Sequence, residues 1–137
     1  MKISDFPLES YDKIRYRDTD KQGHVNNANF STFFETGRVE LLYLPVPLHD
    51  KDATFVIANI SLDYISEITW PGTVKIGTAI TKIGNSSIGM TQAIFQNDQI
   101  VAKATTVIVQ MNIETRKSQS LSIETKHKLE QYKKITS

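Results

Sequence analysis

The segment from Asp18 to Asn27, DTDKQGHVNN, sets two carboxylates, a lysine, a glycine, a histidine and a pair of asparagines directly before a hydrophobic run. That run begins with helical spacing, so the segment reads as the loop that enters a helix. The first amides of a helix have no partner within it and lie at the positive end of its dipole, where they can polarise a carbonyl or hold an anion. A carboxylate beside such amides, Asp18 or Asp20, pairs general-base or nucleophilic action with stabilisation of an oxyanion. The same two aspartates also suit a polar turn and cap, and spacing alone does not separate the two readings.

Other chemistries are poorly supplied. Ser86 and Ser87 sit in GNSSIG, which departs from the glycine-serine-glycine elbow and falls where a hairpin turn belongs. His24, His49 and His127 are scattered, with no carboxylate at the spacing a metal motif needs, so no metal is expected. The chain has no cysteine, which removes disulfides, thiolate zinc sites and cysteine nucleophiles together. A phosphate-binding glycine loop is missing too, so nucleotide hydrolysis and dinucleotide binding are disfavoured and no cofactor is expected. Sixteen Lys and Arg against fifteen Asp and Glu leave a net charge of +1, far from the basic balance of a nucleic-acid binder.

The elements that must hold the loop are legible on both sides. Tyr11 to Arg17, YDKIRYR, suggests a short first strand with Ile14 and Tyr16 on one face. From Asn27 onward, Phe30, Phe33, Phe34, Gly37, Leu41 and Leu44 approach the i, i+3, i+4, i+7 pattern of an amphipathic helix of about 17 residues, roughly 25 Å long. Asparagines cap its start and Pro45 stops it. Gly37 costs stability in a helix unless its missing side chain admits a close neighbour, here expected to be backbone. Four long segments rich in Val, Ile and Thr follow, TFVIANISLDYIS, GTVKIGTAITKIG, SSIGMTQAIFQN and QIVAKATTVIVQMNIE, bounded by turn residues. They read as an antiparallel meander. Alternation at Val74, Ile76, Thr78 and Ile80, and from Ile100 to Ile108, predicts one buried face that the helix covers. The tail SLSIETKHKLEQYKKI predicts a short polar helix with Glu124 and Lys128 paired one turn apart.

At 137 residues the chain fits one domain, 1–137. The N-terminal stretch lacks the apolar core of a secretion signal, and no apolar run approaches the roughly 18 residues that span a bilayer. A cytoplasmic protein without membrane partners is the expectation.

The segment from Ile14 to Leu42, IRYRDTDKQGHVNNANFSTFFETGRVELL, resembles the signature of hotdog-fold thioesterases of the 4-hydroxybenzoyl-CoA thioesterase family. Strand, Asp-x-Asp loop, glycine, asparagine pair and aromatic-bearing helix come in the same order, with four long strands after them. The resemblance implies an α+β hotdog fold, in which an antiparallel sheet of about five strands wraps one long central helix. Two such subunits pair edge to edge, as a homodimer or homotetramer. It implies an acyl-CoA thioesterase that hydrolyses its substrate to free acid and thiol.

By the same resemblance Asp20 is the catalytic carboxylate, acting as a nucleophile through a mixed anhydride or as a base on water, and Asp18 is its structural companion. The main-chain amide of Asn27 would face the thioester carbonyl, Gly23 would let the loop backbone approach it, and Ser87, in the third long strand, would help position substrate or water. His24 would pack the loop. Glu67 and Thr73 stand where the family commonly has proline and aspartate. An acyl carrier protein thioesterase and a non-catalytic acyl-binding hotdog protein are the alternatives, and a carboxylate at position 20 favours an enzyme. Lys75, Lys82, Lys103 and Arg116 are candidates for the coenzyme phosphates, and the sequence does not rank them.

Overall fold

The computed structural model describes residues 1–20 and 23–134, so Lys21 and Gln22 of the loop and Ile135 of the tail lie outside the described residues. Its elements are β1 (Leu8–Lys13), α1 (Asn27–Tyr43), β2 (Ala53–Tyr64), β3 (Thr73–Ile83), β4 (Ser87–Gln96), β5 (Gln99–Asn112) and α2 (Ile123–Glu130), with short 3-10 turns at Ile3–Asp5 and Tyr16–Asp18. The five strands form one antiparallel sheet in the order β1-β3-β4-β5-β2. Helix α1 packs on one face of it, the hotdog arrangement.

Helix α1 starts where Asn26 caps it, its side-chain oxygen accepting the Ala28 N–H at 2.9 Å. Phe30, Phe33, Phe34, Leu41 and Leu42 are then buried on the stripe facing the sheet. Val74, Ile76, Thr78 and Ile80 of β3 are fully buried beneath them, as are Ala102, Ala104, Thr106 and Ile108 of β5 to within a few per cent.

Three details differ from the sequence reading. The four long strands are not a single meander. β3, β4 and β5 do follow one another through short turns, but eight residues, Ile65 to Gly72, separate β2 from β3. That exceeds an ordinary hairpin loop, and Ile68 within it is fully buried. Strand β2 therefore takes the far edge beside β5, and β3 pairs with β1. The first strand also lies earlier than Tyr11–Arg17. The Asp18 carboxylate accepts the Arg15 N–H at 2.9 Å and bends the chain into a 3-10 turn, so Ile14 is buried while Tyr16 points outward.

Gly37 does admit a close neighbour, but side chains fill the space rather than backbone. A Cβ there would overlap the Thr78 hydroxyl, Gln92 Nε2 at 2.8 Å and Ile76 Cγ2 at 2.9 Å. Gln92 Nε2 uses that closeness to donate to the Phe34 carbonyl at 2.9 Å and to Thr78 Oγ1 at 3.1 Å. In α2 the expected Glu124–Lys128 pair forms, at 3.2 Å. Among the described residues no helix is long and apolar enough to cross a membrane.

Candidate active site

Asp18 and Asp20 have separate tasks in the loop. The Asp18 side chain is buried and binds the Arg15 guanidinium at 3.2 Å, while its carbonyl accepts the Asn26 N–H and the Asn29 side-chain amide, each at 2.9 Å. These bonds tie the 3-10 turn to the start of α1. Asp20 is exposed, and its main chain closes the loop: its N–H donates to the His24 carbonyl at 2.8 Å and its carbonyl accepts the Gly23 N–H at 3.2 Å. Its Oδ1 accepts the His24 N–H at 3.3 Å, which holds the carboxylate against the loop that leads to the helix.

Gly23 adopts φ +79°, and a Cβ on it would meet nothing within 4 Å. The position therefore needs glycine for its backbone conformation rather than for space. Its carbonyl accepts the Trp70 N–H at 3.2 Å, and a bridge between His24 and Thr69 fastens the loop to the segment after β2.

A cavity of about 570 Å³ opens between this loop, the first turn of α1 and the end of β2. Asp20 and Asn27 both line it, with Phe30 and Tyr64 on its apolar side and His24 and Glu67 on its rim. Asn27 is the first residue of α1, so its N–H has no helical partner. Its carbonyl accepts the Tyr64 hydroxyl at 3.4 Å, and Tyr64 meets Phe30 edge to face with centroids 5.1 Å apart. Asp20 and the first residue of α1 thus line one partly apolar space, and a carboxylate with a helix-start amide is a combination able to attack and polarise an acyl carbonyl.

Ser87 is not brought to this cavity. Tyr64 pairs with Ala102, and Ala102 with Ile94, so Ser87 lies seven residues further along β4, about 23 Å at ~3.3 Å per residue. It is the first residue of β4, and its carbonyl accepts the Gly84 N–H across the β3–β4 turn. Sequence reading also missed a pair on the rim: His24 Nε2 and Glu67 Oε2 are 3.2 Å apart. The two residues are far apart in the chain, and the backbone pairing of Gly23–Val25 with Ile68–Trp70 brings them together. Among the described residues no three His, Asp or Glu side chains converge as a metal site.

The profile of the Thioesterase-like superfamily matches residues 14–129, most of the chain. An acyl-CoA thioesterase of Haemophilus influenzae, YbgC, is 27% identical over 105 residues, covering 73% of this chain and 74% of that protein. A Bacillus stearothermophilus structure described as a predicted thioesterase superposes with a TM-score of 0.85 at 27% identity, covering 95% of this chain and 98% of the other. A Thermus thermophilus thioesterase solved with coenzyme A and zinc gives 0.77 at 28% identity, covering 91% and 92%.

Proposed function

The chain belongs to the thioesterase-like superfamily, and from that premise we propose that Asp20 and the Asn27 amide carry out its chemistry. The protein is an acyl-CoA thioester hydrolase, in keeping with its relatives. The supporting observation is that the Asp20 carboxylate and the Asn27 helix start line the same cavity. The thioester carbonyl oxygen points at the Asn27 N–H, where the positive end of the α1 dipole stabilises developing negative charge. Asp20 then attacks the carbonyl carbon to form a mixed anhydride that water opens, or it takes a proton from water that attacks directly. On either route the carbon–sulfur bond breaks, the thiol leaves carrying one proton, and the acyl group gains the water oxygen. Gly23 supports this geometry by letting the loop turn back toward the helix. Phe30 and Tyr64 offer the acyl group an apolar wall.

The test is thiol release from a panel of acyl-CoAs of varied chain length and aromaticity, with acyl carrier protein thioesters alongside. Saturable cleavage of at least one acyl-CoA is expected; no cleavage anywhere in the panel would contradict the reading.

Assembly follows from the sheet edge. Among the described residues strand β2 pairs only with β5, which leaves its other edge open along its 12 residues. On this strand Ile57 is 52% exposed, and Ile60 and Tyr64 are exposed as well, as is Ile65 just after it. Long open edges of this kind are ordinarily covered. Beside β2, Arg38 is buried and its Nη1 has no hydrogen-bond partner among the described residues. Burial lowers its pKa, an effect only partly opposed by nearby Glu35. A second copy paired along β2 would cover the edge and bring acceptors to this flank. Sedimentation is expected to give a dimer or a higher multiple, and a mass near 15.5 kDa at micromolar concentration would overturn this.

A further inference from the structure

We propose that Tyr16 and Trp70 form a stacking platform for the adenine nucleotide end of the coenzyme A substrate, with Arg17 and Lys13 beside it to meet the phosphates. The proposal rests on the acyl-CoA reading above. The two rings meet edge to face at 5.1 Å and 71°, yet Tyr16 is 73% exposed and Trp70 41% exposed. Packing against the core does not account for two large aromatic side chains held together at the surface. Rings this exposed leave aromatic surface on which a planar base can stack, one ring meeting its face and the other, set at 71°, meeting its edge.

The platform is joined to the reacting end of the site. The Trp70 N–H donates to the Gly23 carbonyl, and neighbouring Thr69 bridges His24, so the segment carrying Trp70 is fastened to the loop that carries Asp20. Tyr16 precedes Asp20 by four residues, which limits their Cα separation to about 15 Å. A thioester held in the cavity sends its pantetheine arm outward over this rim.

Charge agrees with the placement. Arg15 is engaged by Asp18, whereas Arg17, exposed on the same turn, makes no ion pair among the described residues. Lys13, also exposed, ends β1 opposite Thr73, three residues after Trp70. Two of the cations that the sequence offered for this task lie elsewhere. Lys82 is near the far end of β3, and Arg116 follows the end of β5 that pairs with the start of β2. Coenzyme A presents a base and several phosphates together, the combination that an aromatic pair flanked by unpaired cations recognises.

The test compares one acyl group on coenzyme A and on pantetheine, which lacks the nucleotide. Trp70→Ala and Tyr16→Ala are each expected to raise KM for the acyl-CoA about 5-fold or more, to leave kcat within about two-fold, and to leave kcat/KM for the acyl-pantetheine at the wild-type value. Trp70→Phe should keep most of the affinity. Trp70 is the single tryptophan, so its fluorescence reports on the platform alone: free coenzyme A should quench it and pantetheine should not. Equal losses on both thioesters, no change on either, or no quenching by coenzyme A would overturn the proposal. If the wild type cleaves neither thioester, the hydrolase reading fails, while quenching by coenzyme A still decides for the platform and its absence against it.

Discussion

Asp50→Ala is expected to lower stability by about 2–3 kcal/mol, a shift in melting temperature of roughly 10 °C. Asp50 lies in the loop before β2, and its carboxylate accepts four hydrogen bonds. Ser122 Oγ donates at 2.6 Å and Thr125 Oγ1 at 2.7 Å, both to Oδ1, while the Ser122 N–H and Gln110 Nε2 each donate to Oδ2 at 2.9 Å. Hydrogen bonds to a charged group contribute about 1.5–3 kcal/mol each, but they are not additive and solvent weakens this half-exposed set. The carboxylate joins the loop before β2, strand β5 and the start of α2, whose Leu129 is fully buried in the core.

This anchor also predicts a pH dependence. Burial alone would raise the Asp50 carboxyl, but the hydrogen bonds from Ser122, Gln110 and Thr125 outweigh it and hold the group at about 2, below its ordinary 3.8. A group depressed in the folded state stabilises the fold above its unfolded value and loses that contribution as pH falls through the folded one. Denaturant titrations should therefore show the wild type losing its advantage over Asp50→Asn between about pH 4 and pH 2. Parallel loss in both proteins across that window would show that Asp50 is not the group responsible.

The helix was legible because its signals are local: Asn26 caps, a run of phenylalanines repeats at helical spacing, and Pro45 interrupts. The buried faces of β3 and β5 were legible from their alternation. Strand order was not, because the position of β2 depends on how Ile65–Gly72 crosses the molecule, and pairing between distant strands leaves no local mark. Tyr16 departs from the face its spacing predicts because a side chain two residues on, Asp18, redirects the backbone. At the site, Asp20, Gly23 and Asn27 are neighbours in sequence, so a motif can carry all three. The Tyr64 hydroxyl on Asn27, the His24–Glu67 pair and the distance of Ser87 are products of topology.

The central claim is that the Asp20 carboxylate performs the hydrolysis, and Asp20→Asn tests it most directly. The amide is nearly isosteric, and Asp20 is exposed, so the main-chain bonds that close the loop should persist and the fold with them. The amide cannot accept the proton or form the anhydride. The Asn27 amide stays in place, which preserves polarisation of the carbonyl and near-normal substrate affinity. Asp18→Asn is the contrast: it weakens the Arg15 contact and should act through loop order and melting temperature. Loss of general-base action is typically worth about 10² to 10⁴ in rate, and loss of a nucleophile can cost more. The decisive measurement is single-turnover thiol release under enzyme excess, with melting and substrate binding checked on the same samples. The account predicts a folded, substrate-binding Asp20→Asn slowed at least about 100-fold. A folded variant that keeps more than about a tenth of the wild-type rate, well above what loss of a general base leaves, would contradict it and remove Asp20 from the chemistry.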